Sequence, residues 1–114
     1  MEIEVLTYSI AGVLGYIDSE RHAANFRHIA RMHNVSHVIV RLRDLFALDF
    51  EGRVMLQEAL EHLLSAGKQV YVSSASTAVA EQIANALHGP HGTIRTFPKT
   101  SIALTFIRDE NKSA

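Results

Sequence analysis

Three short runs rich in β-branched residues, each followed by a helical pattern, constrain this chain more than any other feature. The first is Val38-Ile39-Val40 with Leu42, flanked by Ser36 and His37. It is apolar almost without interruption, which suits a strand covered on both faces. Gly52–Ser65 then repeats Val54, Met55, Ala59, Leu60 and Leu63 on one helical face, and Gly67 supplies a left-handed stop. Val70-Tyr71-Val72 reads as the second strand. After it comes a helix through Val79, Ile83 and Leu87, closed by Gly89-Pro90. Thr93–Phe97 is a brief third strand, and Pro98 and Thr100 open a last helix carrying Ile102, Ala103, Phe106 and Ile107. Strands and helices in this alternation form parallel strands joined by right-handed crossovers, so the expected class is α/β.

Ahead of this core, residues 3–8 alternate loosely, Ile3 and Val5 against Glu4, and Ala11–Ile17 is a second apolar run broken by Gly12 and Gly15. Two short strands joined by a turn near Ser9, an N-terminal edge hairpin, is the simplest reading. Asp18 or Ser19 is the expected cap of the next helix, with Glu20 in its first turn. Ala23, Phe26, Ile29, Ala30 and His33 form its apolar stripe, and Asn34 marks its end. Residues 1–110 read as one domain and 111–114 as a frayed polar tail.

Composition narrows the function classes. The chain has 114 residues, 47% hydrophobic and 20% charged, as a folded globular domain requires. Its formal charge of −1 gives no footprint for nucleic acid. No apolar run approaches the roughly 18–20 residues that cross a bilayer, so direct membrane insertion is not expected. The acidic, alternating start MEIEVLTYSI differs from a signal peptide. Cysteine is absent, which removes thiolate chemistry and disulfides.

The stretch LRDLFALDFEG, residues 42–52, places Asp49 and Glu51 on either side of Phe50, at the junction of a strand and the main helix. A helix start presents unpaired N–H groups and partial positive charge, so acids there serve as caps or anchors. No neighbouring histidine or nucleophile completes a catalytic constellation. A second cluster, Ser73, Ser74, Ser76 and Thr77, sits at a strand end and helix start, where open α/β sheets bind ligands. It lacks the glycines of a phosphate loop, which leaves capping and a weaker anion or nucleotide contact as its readings. His88 and His91 in HGPHG fall short of a metal site. No cofactor, metal or catalytic residue is therefore expected.

The segment HVIVRLRDLFALDFEGRVMLQEALEHLLSAGKQVYVSS, residues 37–74, resembles a STAS domain. That module is shared by anti-sigma factor antagonists and the cytosolic tails of SulP-type anion permeases. The family pattern is an apolar strand, a loop, Asp-x-Ser/Thr-Gly, an amphipathic helix and a Gly-Lys strand. YSIAGVLGYIDSERHAANFRHI, residues 8–29, is similar to the permease branch, and TFPKTSIAL to the family's closing motif. The resemblance implies a STAS-like (SpoIIaa-like) fold: a mostly parallel sheet of four to five strands, about four helices, and helices on one side. It also implies regulation through protein contacts, with no turnover. In the antagonist branch a kinase phosphorylates the hydroxyl residue before the glycine; here that position is Glu51, while Asp49 keeps the acidic position.

The expected function is thus a non-catalytic regulatory domain, the cytosolic C-terminal domain of a SulP-type sulfate or anion transporter, on the cytoplasmic face of the inner membrane. Its partners would be the transporter's membrane domain or a cytosolic regulatory protein, met through Asp49, Phe50, Glu51 and Gly52. A weak homodimer is also among the partner expectations. The alternative is a free-standing anti-sigma antagonist-like protein that binds a kinase-type anti-sigma partner without a phospho-acceptor.

Overall fold

The computed structural model describes residues 4–113; Met1–Ile3, including the expected strand start at Ile3, and Ala114 lie outside it. In chain order the elements are β1 Glu4–Ser9, β2 Gly12–Leu14, α1 Tyr16–Ala30, β3 Val35–Arg41, β4 Leu45–Leu48 and α2 Phe50–Ser65. They continue with β5 Gln69–Ser73, α3 Thr77–Gln82, α4 Ala84–Leu87, β6 His88–Gly89, β7 Gly92–Thr93, β8 Arg95–Phe97 and α5 Thr100–Ser113. The main sheet runs β1-β3-β5-β8, with every neighbouring pair parallel. This is the α/β architecture expected from the alternation of strands and helices.

Alternate residues of the central strands face two different cores. Val38, Val40, Val70 and Val72 point to one face, where they pack with Phe26, Leu56, Leu60, Leu63 and Val79 from α1, α2 and α3. Ile39 and Tyr71 point to the other, against Ala103 and Ile107 of α5. The helices therefore cover both faces, in contrast to the one-sided arrangement that the family resemblance implied. Strands buried on both faces need side chains apolar at every position, which is why Val38-Ile39-Val40 shows no alternation. Each fully buried Leu of α2 contributes roughly 1.5–3 kcal/mol of transfer free energy.

The N-terminal strands do not form the expected hairpin. β1 pairs with β3 and β2 with β4, both in parallel. The chain does not reverse at Ser9: Ile10 N–H bonds Arg41 O at 3.1 Å and Gly12 N–H bonds Asp44 O at 2.8 Å. Gly12, at φ +79°, bends the β1–β3 pair away from the main sheet, and the two strands continue as β2 and β4. The apolar run Ala11–Ile17 thus divides between a three-residue strand and the first turn of α1. β4 was not foreseen either, because LFAL between two acids reads as loop.

Helix boundaries also differ from the periodicity. α1 begins at Tyr16, ahead of Asp18 and Ser19; the Ser19 hydroxyl donates to Gly15 O at 2.6 Å and does not cap. It ends at Ala30, leaving His33 and Asn34 exposed in the following turn, where Asn34 Nδ2 donates to Glu4 Oε2 at 2.6 Å. The helix expected through Leu87 breaks at Ile83 into α3 and α4. α5 continues through Ser113, past the expected start of the polar tail at residue 111. Gly67, at φ +86°, follows α2 as expected. The adjoining Lys68 is buried, and its Nζ donates to the carbonyls of Met32 and Val35, each at 2.6 Å. It fastens the entry of β5 to the α1–β3 turn.

Gly52 carries the closest approach in the fold. A Cβ built there would lie 2.1 Å from Leu14 O, a backbone atom that cannot swing aside. Gly52→Ala is expected to cost about 3 kcal/mol through this overlap. Gly67→Ala meets no atom within 4 Å and should cost only the roughly 1–2 kcal/mol of left-handed strain. Urea unfolding of both variants checks the order, and equal losses would contradict the close approach.

A second test concerns His22. It is buried beneath β1, where its Nδ1 and the Tyr8 hydroxyl share a hydrogen bond at 2.6 Å while Asn25 Nδ2 donates to the same hydroxyl at 2.9 Å. Desolvation, reinforced by the Arg21 cation, lowers its pKa below 6.5. His37 is lowered as well, by desolvation that outweighs Glu110. Both rings then bind protons more readily in the unfolded chain. Stability is full above about pH 6.5 and is lost as pH falls from there through the folded-state values. Chemical denaturation between neutral and mildly acidic pH should show this slope, and His22→Gln should flatten it.

Candidate functional site

Asp49 organises the junction between the two-stranded β2–β4 extension and the helices. It is the N-cap of α2, with extended backbone at φ −86° and ψ −177°, and its Oδ1 accepts from Gly52 N at 2.8 Å. Its Oδ2 accepts from the backbone N–H of Tyr16 at 3.3 Å, the first residue of α1. One carboxylate thereby satisfies orphan donors at two helix N-termini, each carrying partial positive charge. The Asp49 N–H in turn donates to Leu14 O at 3.1 Å, which closes the junction. Gly15 belongs to it too, since a Cβ there would sit 2.7 Å from Asp49 Oδ2.

Glu51 and Phe50 fall in the first turn of α2, and both are exposed. Among the described residues Glu51 has no hydrogen-bond or ion-pair partner, so its carboxylate is presented to solvent beside the helix start. The four residues expected to act together, Asp49 to Gly52, divide physically. Asp49 and Gly52 build the junction, while Phe50 and Glu51 face outward from it.

The sequence reading missed the apolar residues around this turn. Tyr16 is 78% exposed, Ile17 89%, Phe46 76% and Phe50 66%. Val13 and Val54 are exposed as well, the latter despite its expected place on the buried face of α2. Of the large apolar side chains left exposed among the described residues, all but Ile102 lie on β2, β4, the first turn of α1 and the first two turns of α2. Such concentration differs from the singly scattered apolar residues usual on a protein surface. Ile17 was legible in principle: nine residues before Phe26, it falls on the opposite side of a 100°-per-residue helix. That signal appears only once α1 is started at Tyr16.

The hydroxyl cluster is mostly engaged within the fold. Ser73 is fully buried, and its Oγ lies 2.8 Å from Thr100 Oγ1. Ser74 takes φ +63°, uncommon for a residue with a Cβ, and its N–H donates to Phe97 O at 2.8 Å. Ser76 caps α3, accepting from Val79 N at 3.2 Å, and Thr77 is exposed in the first turn. These bonds lock the β5–α3 connection to the end of β8. Elsewhere, a hollow of about 440 Å³ between α1 and α2 is lined by residues that include Arg27, Glu58, Glu61, His62 and His91. His88 pairs with Thr93 Oγ1 at 3.3 Å in the β6–β7 turn. Among the described residues no three metal-ligating side chains converge, and no helix is long and apolar enough to cross a membrane.

No protein-family model matches the sequence, and no curated protein matches it by sequence. Solved structures do match. The STAS domain of a SulP transporter from Vibrio cholerae superposes with a TM-score of 0.78 at 19% identity, over 100% of this chain and 88% of that one. The murine Solute Carrier 26 family member A9 anion transporter, in the inward-facing state, gives 0.73 at 17% identity. That match takes in 96% of this chain but only 18% of the transporter's. The anti-sigma factor antagonist SpoIIAA in its unphosphorylated form gives 0.73 at 16% identity, over 95% of this chain and 91% of that one. The chain has the STAS fold, common to a transporter domain and an anti-sigma factor antagonist.

Proposed function

We propose that this chain is a regulatory interaction domain that acts by docking, most like the STAS domain of a SulP-type anion transporter. Its docking surface is the junction face formed by Tyr16, Ile17, Phe46, Phe50 and Glu51 around Asp49. The observation that carries the proposal is the gathering of exposed apolar side chains about two helix starts held by one carboxylate. Aromatic and aliphatic groups at that density cost solubility when bare, and they become favourable when a partner covers them. The likeness to the Vibrio cholerae transporter domain, over the whole chain, supports a transporter partner. On this reading the domain sits at the cytoplasmic face of the membrane and meets a transporter's membrane domain or a cytosolic regulator.

The alternative is an anti-sigma antagonist-like role, and Glu51 is the observation that bears on it. A carboxylate stands where the family pattern places a hydroxyl, so no phosphate can be added there. The fixed charge of about −1 would stand in part for the roughly −1.5 to −2 of a phosphorylated residue. In that version the domain is held in one binding state.

A photo-crosslinking amino acid at position 50, introduced in the native host, tests the docking surface and separates the two readings. The expected adduct is a multi-spanning transporter; an adduct with a kinase-type anti-sigma factor alone would overturn the transporter reading. With the partner in hand, Phe46→Ser combined with Phe50→Ser should weaken binding at least about tenfold, since each buried Phe contributes roughly 1.5–3 kcal/mol. Thermal stability should stay near that of the parent, because both side chains are exposed. If Glu51→Ser and Glu51→Ala both bind as the parent does, the charge at 51 plays no part in partner choice.

A further inference from the structure

The two edges of the main sheet are protected very differently. β8 is short, three residues, begins at Arg95 and is followed by Pro98, all of which discourage another strand from pairing. β1 is six residues long, EVLTYS, with no lysine, arginine or proline. Its one irregularity, between Glu4 and Val5, lies at its entrance. Among the described residues β3 is the only strand paired with it.

The outward groups of β1 follow from the ladder. Ile10 N–H bonds Arg41 O, so the backbone at residue 10 faces β3. Alternation along the strand then turns Leu6 and Tyr8 toward β3 and leaves the N–H and C=O of Val5, Thr7 and Ser9 pointing away from it. Three residues whose donors and acceptors meet no other strand among the described residues, at regular spacing, form a template for one more strand.

We propose that β1 pairs antiparallel with β1 of a second copy of this chain, giving a continuous eight-stranded sheet across a two-fold axis. The strand is self-complementary in the register centred on Thr7. There Thr7 meets the partner's Thr7, Val5 meets the partner's Ser9, and Leu6 meets the partner's Tyr8. Thr–Thr and aliphatic–aromatic pairs are favourable across strands. Glu4, the only charged residue of β1, falls opposite the partner's Ile10, so no like charges meet. Leu6 and Tyr8 are only half-buried in one chain and lie on the same face, where the pairing would cover them. This surface is separate from the junction face, and the inference stands without the docking role proposed above.

Light scattering after size exclusion, across micromolar to millimolar concentration, should show a species at twice the 12.6 kDa of the chain. Thr7→Pro removes an N–H that faces away from β3, so the fold tolerates it. It also deletes both hydrogen bonds of the central pair, and dimer affinity should fall about tenfold or more. Hydrogen exchange on the parent reads the same surface without a mutation. The amides of Val5, Thr7 and Ser9 should gain protection with concentration, while those of Leu6 and Tyr8 are protected throughout. A chain that stays monomeric at millimolar concentration overturns the inference. So does a folded Thr7→Pro dimer of unchanged affinity, or a dimer whose three outward amides exchange freely.

Discussion

The start of α2 presses against the carbonyl of Leu14, and it can do so only because residue 52 has no side chain. Most of the junction follows from that contact. With α2 this close to β2, the Asp49 carboxylate spans from its own helix to the first N–H of α1. α1 therefore needs no cap of its own; Gly15 precedes it and makes no side-chain hydrogen bond to the helix. A local cap is worth about 1 kcal/mol, but a shared one also fixes how two helices stand relative to each other. The aromatic residues at positions 16, 46 and 50 take their placement from this arrangement, since each sits within four residues of Asp49 or of the Gly15 it touches.

How much of this could be read in the sequence depended on whether the cause was local. Val38-Ile39-Val40, Val70-Tyr71-Val72 and the stripe Met55, Ala59, Leu60, Leu63 were legible because burial sets their pattern directly. Gly67 was legible because its conformation is a property of its own backbone. Asp49 as the cap of α2 was legible as well, from its place before the helical pattern. The start of α1 was not, because its capping group comes from 33 residues downstream. The β1–β2 path was misread for a related reason. Gly12 can serve a reversal or a bend, and the bonds to Arg41 and Asp44 that select the bend involve residues 29 and more positions away. The exposed face was hidden by the same error: with Tyr16 and Ile17 assigned to a strand, their place at a helix start could not be recognised.

The two faces of the sheet divide the molecule's tasks. The face under α1, α2 and α3 holds the larger core and supports the junction. Among the described residues the other face is covered by α5, whose Phe106 meets Tyr71 and Phe97, with the Arg95 guanidinium 4.7 Å from the Phe106 ring. That aromatic group packs on the sheet face beside β8, the strand already short and carrying Arg95. Among the described residues nothing comparable guards β1, so the two ends of the sheet differ in how they are protected.

For the proposed docking surface, magnitudes decide which groups would set strength and which would set selectivity. Burying Phe46 and Phe50 releases roughly 1.5–3 kcal/mol each, and Tyr16 and Ile17 add comparable areas. An exposed carboxylate such as Glu51 contributes about 0–1 kcal/mol to a rim ion pair, and salt screens it. The apolar group would therefore supply most of the affinity, and Glu51 would discriminate between partners by what it repels. A partner with an acidic group opposite position 51 would lose several-fold in affinity to one with a cation there. On the proposed reading, a fixed charge at position 51 would do this without a kinase, giving a permanent preference where a phosphorylated hydroxyl would give a reversible switch.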